Sequence, residues 1–215
     1  MQNNIEKVSK ATNGEVGYIH IPDMGPAGLT QFAKLYYPQL NKKALIIDVR
    51  GNGGGNVSPM IMERLQRQMV MIDVARNGKP HTDPGGMHLG PKVALIDEFS
   101  ASDGDIFSYR FKQSKLGVTI GKRTWGGVVG IRGTLPFIDG GYMNRPEFSR
   151  YDNAGKEWIM EGKGVDPDIF VDNDPVEEYN NNDQQLNKAI EEIKAAMKTY
   201  QGKIVPPPPY PDKSK

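Results

Sequence analysis

Short apolar runs and amphipathic stretches alternate along most of this chain. The runs 44–49 (ALIIDV) and 93–96 (VALI) are almost free of polar residues, which is typical of strands buried on both faces of a sheet. Apolar residues recur at helical spacing in 23–40, 58–69 and 103–111, and each of these stretches predicts a helix with one buried face. Repeated strand–helix units predict an α/β fold with a largely parallel sheet and right-handed crossovers.

The C-terminal part predicts a closing helix and then an extended tail. The apolar face of this helix consists of Leu186, Ile190, Ile193 and Met197. Asn182 and Gln185 resemble its capping box, and the prolines of 206–209 favour an extended chain. The predicted division is a linker or an N-terminus cut between domains (1–14), a core domain (15–202) and a Pro-rich tail (203–215).

Composition narrows the classes of function. The chain has 215 residues, and 27 basic against 26 acidic residues give a net charge of +1, so we expect no nucleic-acid or membrane surface. The absence of cysteine excludes disulfides, thiol catalysis and thiolate metal sites. Three histidines without helical pairing do not predict a zinc site, and we expect neither a metal nor a cofactor. The first 14 residues lack the apolar core of a signal peptide, and no run reaches transmembrane length.

The stretch 92–111 (KVALIDEFSASDGDIFSYRF) predicts a strand, a tight turn with two serines and a helix. This geometry lifts a hydroxyl above the sheet edge and directs the free N–H groups of the helix towards whatever the hydroxyl attacks. A plain interpretation is a serine N-cap on an ordinary strand–helix unit.

A glycine-rich loop, 51–55 (GNGGG), follows the strand at 44–49. Its backbone N–H groups can approach a ligand oxygen closely, because the loop has almost no side chains. It lacks the Lys-Ser/Thr ending of a phosphate loop, and Asn56 stands where a dinucleotide loop has its third glycine. Paired with the serine turn, it predicts one half of an oxyanion hole.

Four motifs in order, IIDVRGNGGG, VALIDEFSASDGDIF, GKRTWGG and EGKGVDPDI, resemble the serine peptidases of the C-terminal processing and tricorn families. The resemblance implies an α/β spiral core of the ClpP/crotonase type. It also implies that Ser102 is the nucleophile, with Ser100 the less favoured choice. The oxyanion hole would be the N–H of Asp103 together with that of Gly55 or Gly54.

The resemblance favours the tricorn branch over the C-terminal processing branch. The latter has a lysine base where this chain has Gly127, and Lys122 lies on the wrong side of that motif. The tricorn branch implies a histidine base assisted by a second serine and by a glutamate, here Glu161. That histidine comes from a segment before a PDZ-like domain, and none of the three histidines matches its motif; these are His20, His81 and His88.

Two further expectations concern Asp73 and Glu161. The resemblance implies selection of basic substrate side chains by an acidic residue, for which Asp73 is the ungapped match, although a plain surface aspartate fits equally well. Glu161 is expected near the serine turn, partly exposed and of little importance for stability in this chain.

The expected partners are a peptide or unfolded-protein substrate and the N-terminal and PDZ-like segments of a longer protein, with homo-oligomerisation left open. A cytoplasmic location is expected, with a periplasmic one left open. Two other functions remain: a non-catalytic peptide-binding module and a crotonase-type acyl-CoA enzyme. The acyl-CoA reaction has no use for a serine between the two oxyanion donors, and no basic pocket for adenine is visible in the sequence.

Overall fold

The computed structural model describes residues 1–132, 136–202, 204–209, 212 and 214. The helices are α1 (Gln2–Ala11), α2 (Pro26–Tyr36), α3 (Ser58–Leu65), α4 (Asp103–Gln113), α5 (Pro175–Tyr179) and α6 (Gln184–Thr199), with a 3₁₀ turn at Tyr37–Gln39. The strands are β1 (Val16–His20), β2 (Ala44–Asp48), β3 (Met71–Asp73), β4 (His81–Asp83), β5 (Lys92–Ile96), β6 (Gly117–Gly121), β7 (Gly130–Arg132), β8 (Arg145–Phe148) and β9 (Ile169–Phe170).

The central sheet has five strands in the order β1-β2-β5-β6-β9, and every neighbouring pair is parallel. All residues of β2 and β5 are buried, which agrees with the apolar runs that predicted them. In this register Ile46 lies beside Val93, and Leu95 beside Ile120. The expected α/β class, largely parallel sheet and closing C-terminal helix are therefore confirmed.

Helices cover both faces of this sheet. One apolar cluster joins β2 to α2, α3 and α4 through residues such as Phe32, Ile61 and Phe107. A second cluster, on the opposite face, joins the sheet to α6 and to α1 through Val8. Because side chains alternate along a strand, Leu45 enters the first cluster and Ile46 the second.

The N-terminal segment, expected to be a linker or an N-terminus cut between domains, contains a helix. Residues 2–11 form α1, and Val8 is completely buried among residues of β1 and α6. The outer domain boundaries themselves remain a prediction.

The sequence pattern predicts Asn182 as the N-cap of α6, and Ser58 followed by Pro59 as the N-cap and first residue of α3; both helix starts were wrong in detail. Helix α6 is capped by Asp183, which accepts the Leu186 N–H at 2.9 Å, and not by Asn182. At α3 the N-cap is Val57, so Ser58 is the first helical residue, and its hydroxyl is engaged elsewhere.

Outside the central sheet, the described residues form two antiparallel hairpins. One pairs β3 with β4, and the other pairs β7 with β8 within 130–159, which we call the outer hairpin segment. The sequence predicts hairpin material over 134–142 and 145–158, and the first two residues of the former lie outside the described part of the chain. Among the described residues, no helix is long and apolar enough to cross a membrane.

Candidate active site

Ser102 lies in a sharp turn between β5 and α4, where it is the N-cap of the helix. Its backbone has φ +54° and ψ −113°, a region that L-residues rarely adopt. The turn is fixed to the glycine loop, because the Ala101 N–H donates to the Asn52 carbonyl oxygen at 2.8 Å. Within the described chain the half-buried Ser102 hydroxyl has no hydrogen-bond partner, which leaves it available to a ligand.

Ser100 has a different environment. It is completely buried, and its hydroxyl donates to the Val49 carbonyl at 2.9 Å and accepts the Asp97 N–H at 3.1 Å. This serine therefore holds the turn against the end of β2, and its hydroxyl is not free to react.

The glycine loop lies directly against the Ser102 turn. A Cβ built on Gly54 would lie 2.7 Å from the Ser102 Cβ and 3.0 Å from the Asp103 nitrogen, so only glycine allows this approach. The Gly54 N–H donates to Asn52 Oδ1 at 3.0 Å. The N–H groups of Gly55 and Asp103 have no hydrogen-bond partner among the described residues. The structure thus brings together Ser102, Asp103 and both glycines.

The Asp103 side chain joins α4 to α3. Its carboxylate accepts the Ser58 N–H at 2.8 Å and the Ser58 hydroxyl at 2.6 Å, and both residues are buried. Since α3 begins shortly after the glycine loop, this contact fixes the loop relative to the serine turn.

The start of the glycine loop is fixed by Arg50. Its guanidinium is bound by Asp48 at 2.7 Å and by Asp183, the N-cap of α6, at 2.8 Å. Burial alone would lower the pKa of Arg50, but these two carboxylates outweigh it and raise the pKa. The loop is therefore connected to helices on both faces of the sheet.

Glu161 lies on a turn held against the loop that carries Trp125. Its side chain is exposed, as expected, but Oε2 accepts the N–H groups of Val128 and Val129 at 2.7 and 2.8 Å. The Gly162 N–H donates to the Gly126 carbonyl at 2.8 Å. Glu161 therefore fixes the start of the segment after Val128 through two backbone donors, and its small contribution to stability in this chain remains a prediction.

Asp105 is a carboxylate that the sequence analysis missed. It is completely buried, and it accepts the Gly126 N–H at 2.8 Å and the Thr124 hydroxyl. Burial raises the pKa of Asp105, while its hydrogen-bond donors act in the opposite direction. An acidic residue in the first turn of a helix was visible in the sequence, but its partners lie about 20 residues away and need the folded chain.

None of the three histidines has a hydrogen bond to Ser102 in the described structure. His88 is buried just before the N-terminal end of β5, whereas Ser102 follows the C-terminal end of that strand. Burial lowers the pKa of His88 to about 4. His20 ends β1, which is separated from β5 by β2, and His81 lies on β4.

Lys122 is not placed as a base either. Its ammonium group is hydrogen-bonded by Glu98 and Asp172, which raise its pKa and keep it protonated. At the position of the lysine in the other branch, a Cβ on Gly127 would lie 2.0 Å from the Trp125 ring, so a lysine there would displace that ring.

Asp73 lies on the β3–β4 hairpin, outside the central sheet. Its carboxylate is 3.9 Å from His81 Nε2, and both side chains are mostly exposed. No contact joins Asp73 to the Ser102 turn in the described structure, and its role in specificity remains a prediction. The described residues contain no group of His, Cys, Asp or Glu side chains suited to a metal ion.

Comparison with known proteins defines the class of this fold and site. The model of Peptidase family S41 matches residues 15–171, which is most of the chain, and the chain belongs to this family.

The individual relatives distinguish the two branches. The tricorn protease of Thermoplasma volcanium is 44% identical over 201 residues, covering 93% of this chain and 19% of the relative. The chloroplastic C-terminal processing peptidase of Tetradesmus obliquus is 26% identical over 175 residues, covering 75% of this chain and 36% of the relative. The crystal structure of the tricorn protease superposes with a TM-score of 0.83 at 39% identity, over 92% of this chain and 19% of that structure.

The predicted resemblance to the tricorn branch is therefore confirmed, and the domain is a peptidase-family domain. The chain spans about a fifth of the length of the tricorn relative, 19%.

Proposed function

We propose that this domain is the core of a serine peptidase in which Ser102 is the nucleophile. The observation that carries the proposal is the turn itself, where a strained backbone presents an unpartnered hydroxyl at the N-terminus of α4. Such a turn between a strand and a helix is how several hydrolases expose a nucleophilic serine. The S41 family match supports the same reaction class.

The N–H groups of Asp103 and Gly55 form the oxyanion hole in this proposal. Both lack partners in the described chain, whereas the Gly54 N–H is already bound by Asn52, which favours Gly55 over Gly54. Donors fixed before the reaction stabilise the negative charge that develops on the carbonyl oxygen.

The reaction follows from this arrangement. Ser102 Oγ attacks the carbonyl carbon of the peptide bond and transfers its proton to a general base. The base then protonates the leaving amine, and an acyl group remains on Ser102. Attack by water, activated by the same base, releases the acyl group and restores the hydroxyl.

The base is a histidine from a part of a longer protein, and Glu161 is the acid that orients it with the help of a second serine. This assignment follows the tricorn branch, and the surroundings of Lys122 and of the three histidines support it. A serine hydroxyl without a base is a weak nucleophile, so we expect feeble or no peptide hydrolysis by this chain alone. The substrates are peptides or unfolded chains, and Asp73 is proposed to favour basic side chains.

A fluorophosphonate probe tests the nucleophile. In one reaction the chain by itself is treated with the probe. In a second reaction the remaining segments of the tricorn relative are also present. Ser102→Ala should abolish labelling, and the added segments should raise the labelling rate of wild type by at least about 100-fold, since a missing triad member costs roughly 10⁴-fold in turnover. Glu161→Gln should remove most of that increase. Labelling that persists in Ser102→Ala would contradict the assignment.

The second candidate is a non-catalytic peptide-binding module. It is favoured by one observation, that no histidine or lysine of the described chain is hydrogen-bonded to Ser102. Peptide binding with no labelling and no turnover, even with the added segments present, would support this function in place of the first.

A further inference from the structure

We propose that Asp105 is a positioning residue: it fixes the position of the loop that carries Glu161 relative to helix α4, whose N-cap is Ser102. The proposal rests on the proposed function, because it assigns a task to Asp105 in relation to the nucleophile and the orienting acid.

Asp105 belongs to the same rigid turn as Ser102. It lies three residues further along, in the first turn of α4, and its side chain is completely buried. The Ile106 N–H donates to the Ser102 carbonyl at 3.0 Å, so the helix is hydrogen-bonded from its first residue. Any displacement of the Asp105 side chain relative to Ser102 is therefore small.

From Asp105 a short series of hydrogen bonds reaches the loop of Glu161. Its Oδ1 accepts the Gly126 N–H and the Thr124 hydroxyl. The Thr124 hydroxyl oxygen in turn accepts the Val165 N–H at 2.8 Å, and the Thr124 N–H donates to the Val165 carbonyl at 3.1 Å. Together with the bond from the Gly162 N–H to the Gly126 carbonyl, these contacts link the first turn of α4 to the residues that directly follow Glu161.

The two loops approach too closely for ordinary side chains. A Cβ on Gly126 would lie 2.5 Å from the Gly164 nitrogen, and one on Gly164 would lie 2.2 Å from the Thr124 carbonyl oxygen. Backbone contacts at this distance leave the loop of Glu161 little freedom, provided that the loop of Gly126 is itself fixed. Asp105 provides that fixed point.

A role in general packing explains the carboxylate less well. Burying a carboxylate is costly, and Asp105 Oδ2 has no hydrogen-bond partner in the described structure. An apolar side chain would fill the same place at lower cost, but it could not accept the N–H of Gly126 or the hydroxyl of Thr124. The carboxylate therefore fixes the position of the neighbouring loop, which an apolar side chain could not do.

The test measures loop position directly, by amide hydrogen exchange of Val128 and Val129 in the 215-residue chain. Their N–H groups are bound by Glu161, so Glu161→Ala is the positive control for loss of protection. We expect Asp105→Ala to lower their protection at least tenfold and Asp105→Asn, which keeps an acceptor oxygen, to restore it. Thr124→Val removes the bridging hydroxyl alone and should give the same loss if Asp105→Ala does not fold.

Asp168→Ala is the matched control. Asp168 also accepts a threonine hydroxyl and a backbone N–H, both from Thr119, at 2.9 and 2.8 Å, but it binds Lys112 near the other end of α4. It should lower thermal stability without changing exchange at Val128 and Val129. Equal protection in wild type, Asp105→Ala and Thr124→Val would overturn the proposal.

The exchange result is independent of the nucleophile assignment. If fluorophosphonate labelling of wild type and Ser102→Ala is the same, the proposed function fails, while exchange at Val128 and Val129 still decides whether Asp105 positions the loop. If labelling depends on Ser102 but Asp105→Ala exchanges like wild type, only the role of Asp105 fails.

Discussion

At Ser102 the backbone lies in a region that glycine adopts readily, with φ +54° and ψ −113°. A residue held in such a conformation stores roughly 1–3 kcal/mol of strain. The surrounding hydrogen bonds must therefore hold the turn in place, including the one from Ala101 to Asn52. The strained backbone conformation is what presents the Ser102 hydroxyl at the N-terminus of α4.

This strain predicts the order of stability of two variants at Ser102. The free energy of unfolding of Ser102→Gly should exceed that of Ser102→Ala by about 1 kcal/mol, because only alanine keeps a Cβ in the strained region. The glycine variant should therefore unfold at a higher denaturant concentration. Urea denaturation of both variants measures the difference. Equal stability would show that the turn is not strained in solution.

Asp105 predicts a pH dependence of stability. Burial raises its pKa, and the charge of Glu161 adds to that rise, so the folded chain keeps the proton to higher pH than the unfolded chain does. The contribution of Asp105 is then fully present below the unfolded pKa, about 3.9, and is lost as pH rises through the raised value.

Asp105→Asn does not titrate, so its free energy of unfolding should rise relative to wild type between pH 4 and pH 8. Parallel urea denaturation at several pH values measures this difference. A difference that is constant with pH would mean that Asp105 has an ordinary pKa.

Among the elements, α3 and α4 are joined at their N-termini by Ser58 and Asp103. We expect Ser58→Ala to lower the free energy of unfolding by about 1–3 kcal/mol, because the buried carboxylate loses a donor. Thr30→Ala removes an exposed helix hydroxyl and should change stability much less. Thermal unfolding compares the two, and a similar effect of both would argue against a structural role for the Ser58 contact.

The sequence predicted elements best where the signal is local. The apolar runs located β2 and β5, and the serines and glycines located the turn and the loop after them. The contacts of Asp105 with Thr124 and of Glu161 with Val128 could not be predicted, because they join residues about 20 to 30 positions apart through tertiary packing. The cap of α6 was misassigned by one residue, since Asn182 and Asp183 are both good N-cap residues.

At the scale of the whole molecule, α1 is part of the folded unit. Val8→Ala should lower the free energy of unfolding by about 1–2.5 kcal/mol, because it leaves a cavity between β1 and α6. Lys7→Ala, a neighbouring position outside the apolar cluster, is the control and should have little effect. Thermal denaturation measures both, and an unchanged midpoint for Val8→Ala would show that the packing of α1 on the sheet does not stabilise the domain.

The two ends of the outer hairpin segment lie next to each other, because residues on either side of it are in contact. Glu161 binds Val128 and Val129 where the chain departs, and Val128, Met160 and Val165 pack together where it returns. Lengthening a flexible loop whose ends are already joined costs only about 0.6 kcal/mol for each doubling of its length. We therefore expect the segment to accept insertions that leave its Arg150 contact with the Val128 carbonyl in place, so that the outer surface of the domain can vary while the residues around Ser102 keep their positions.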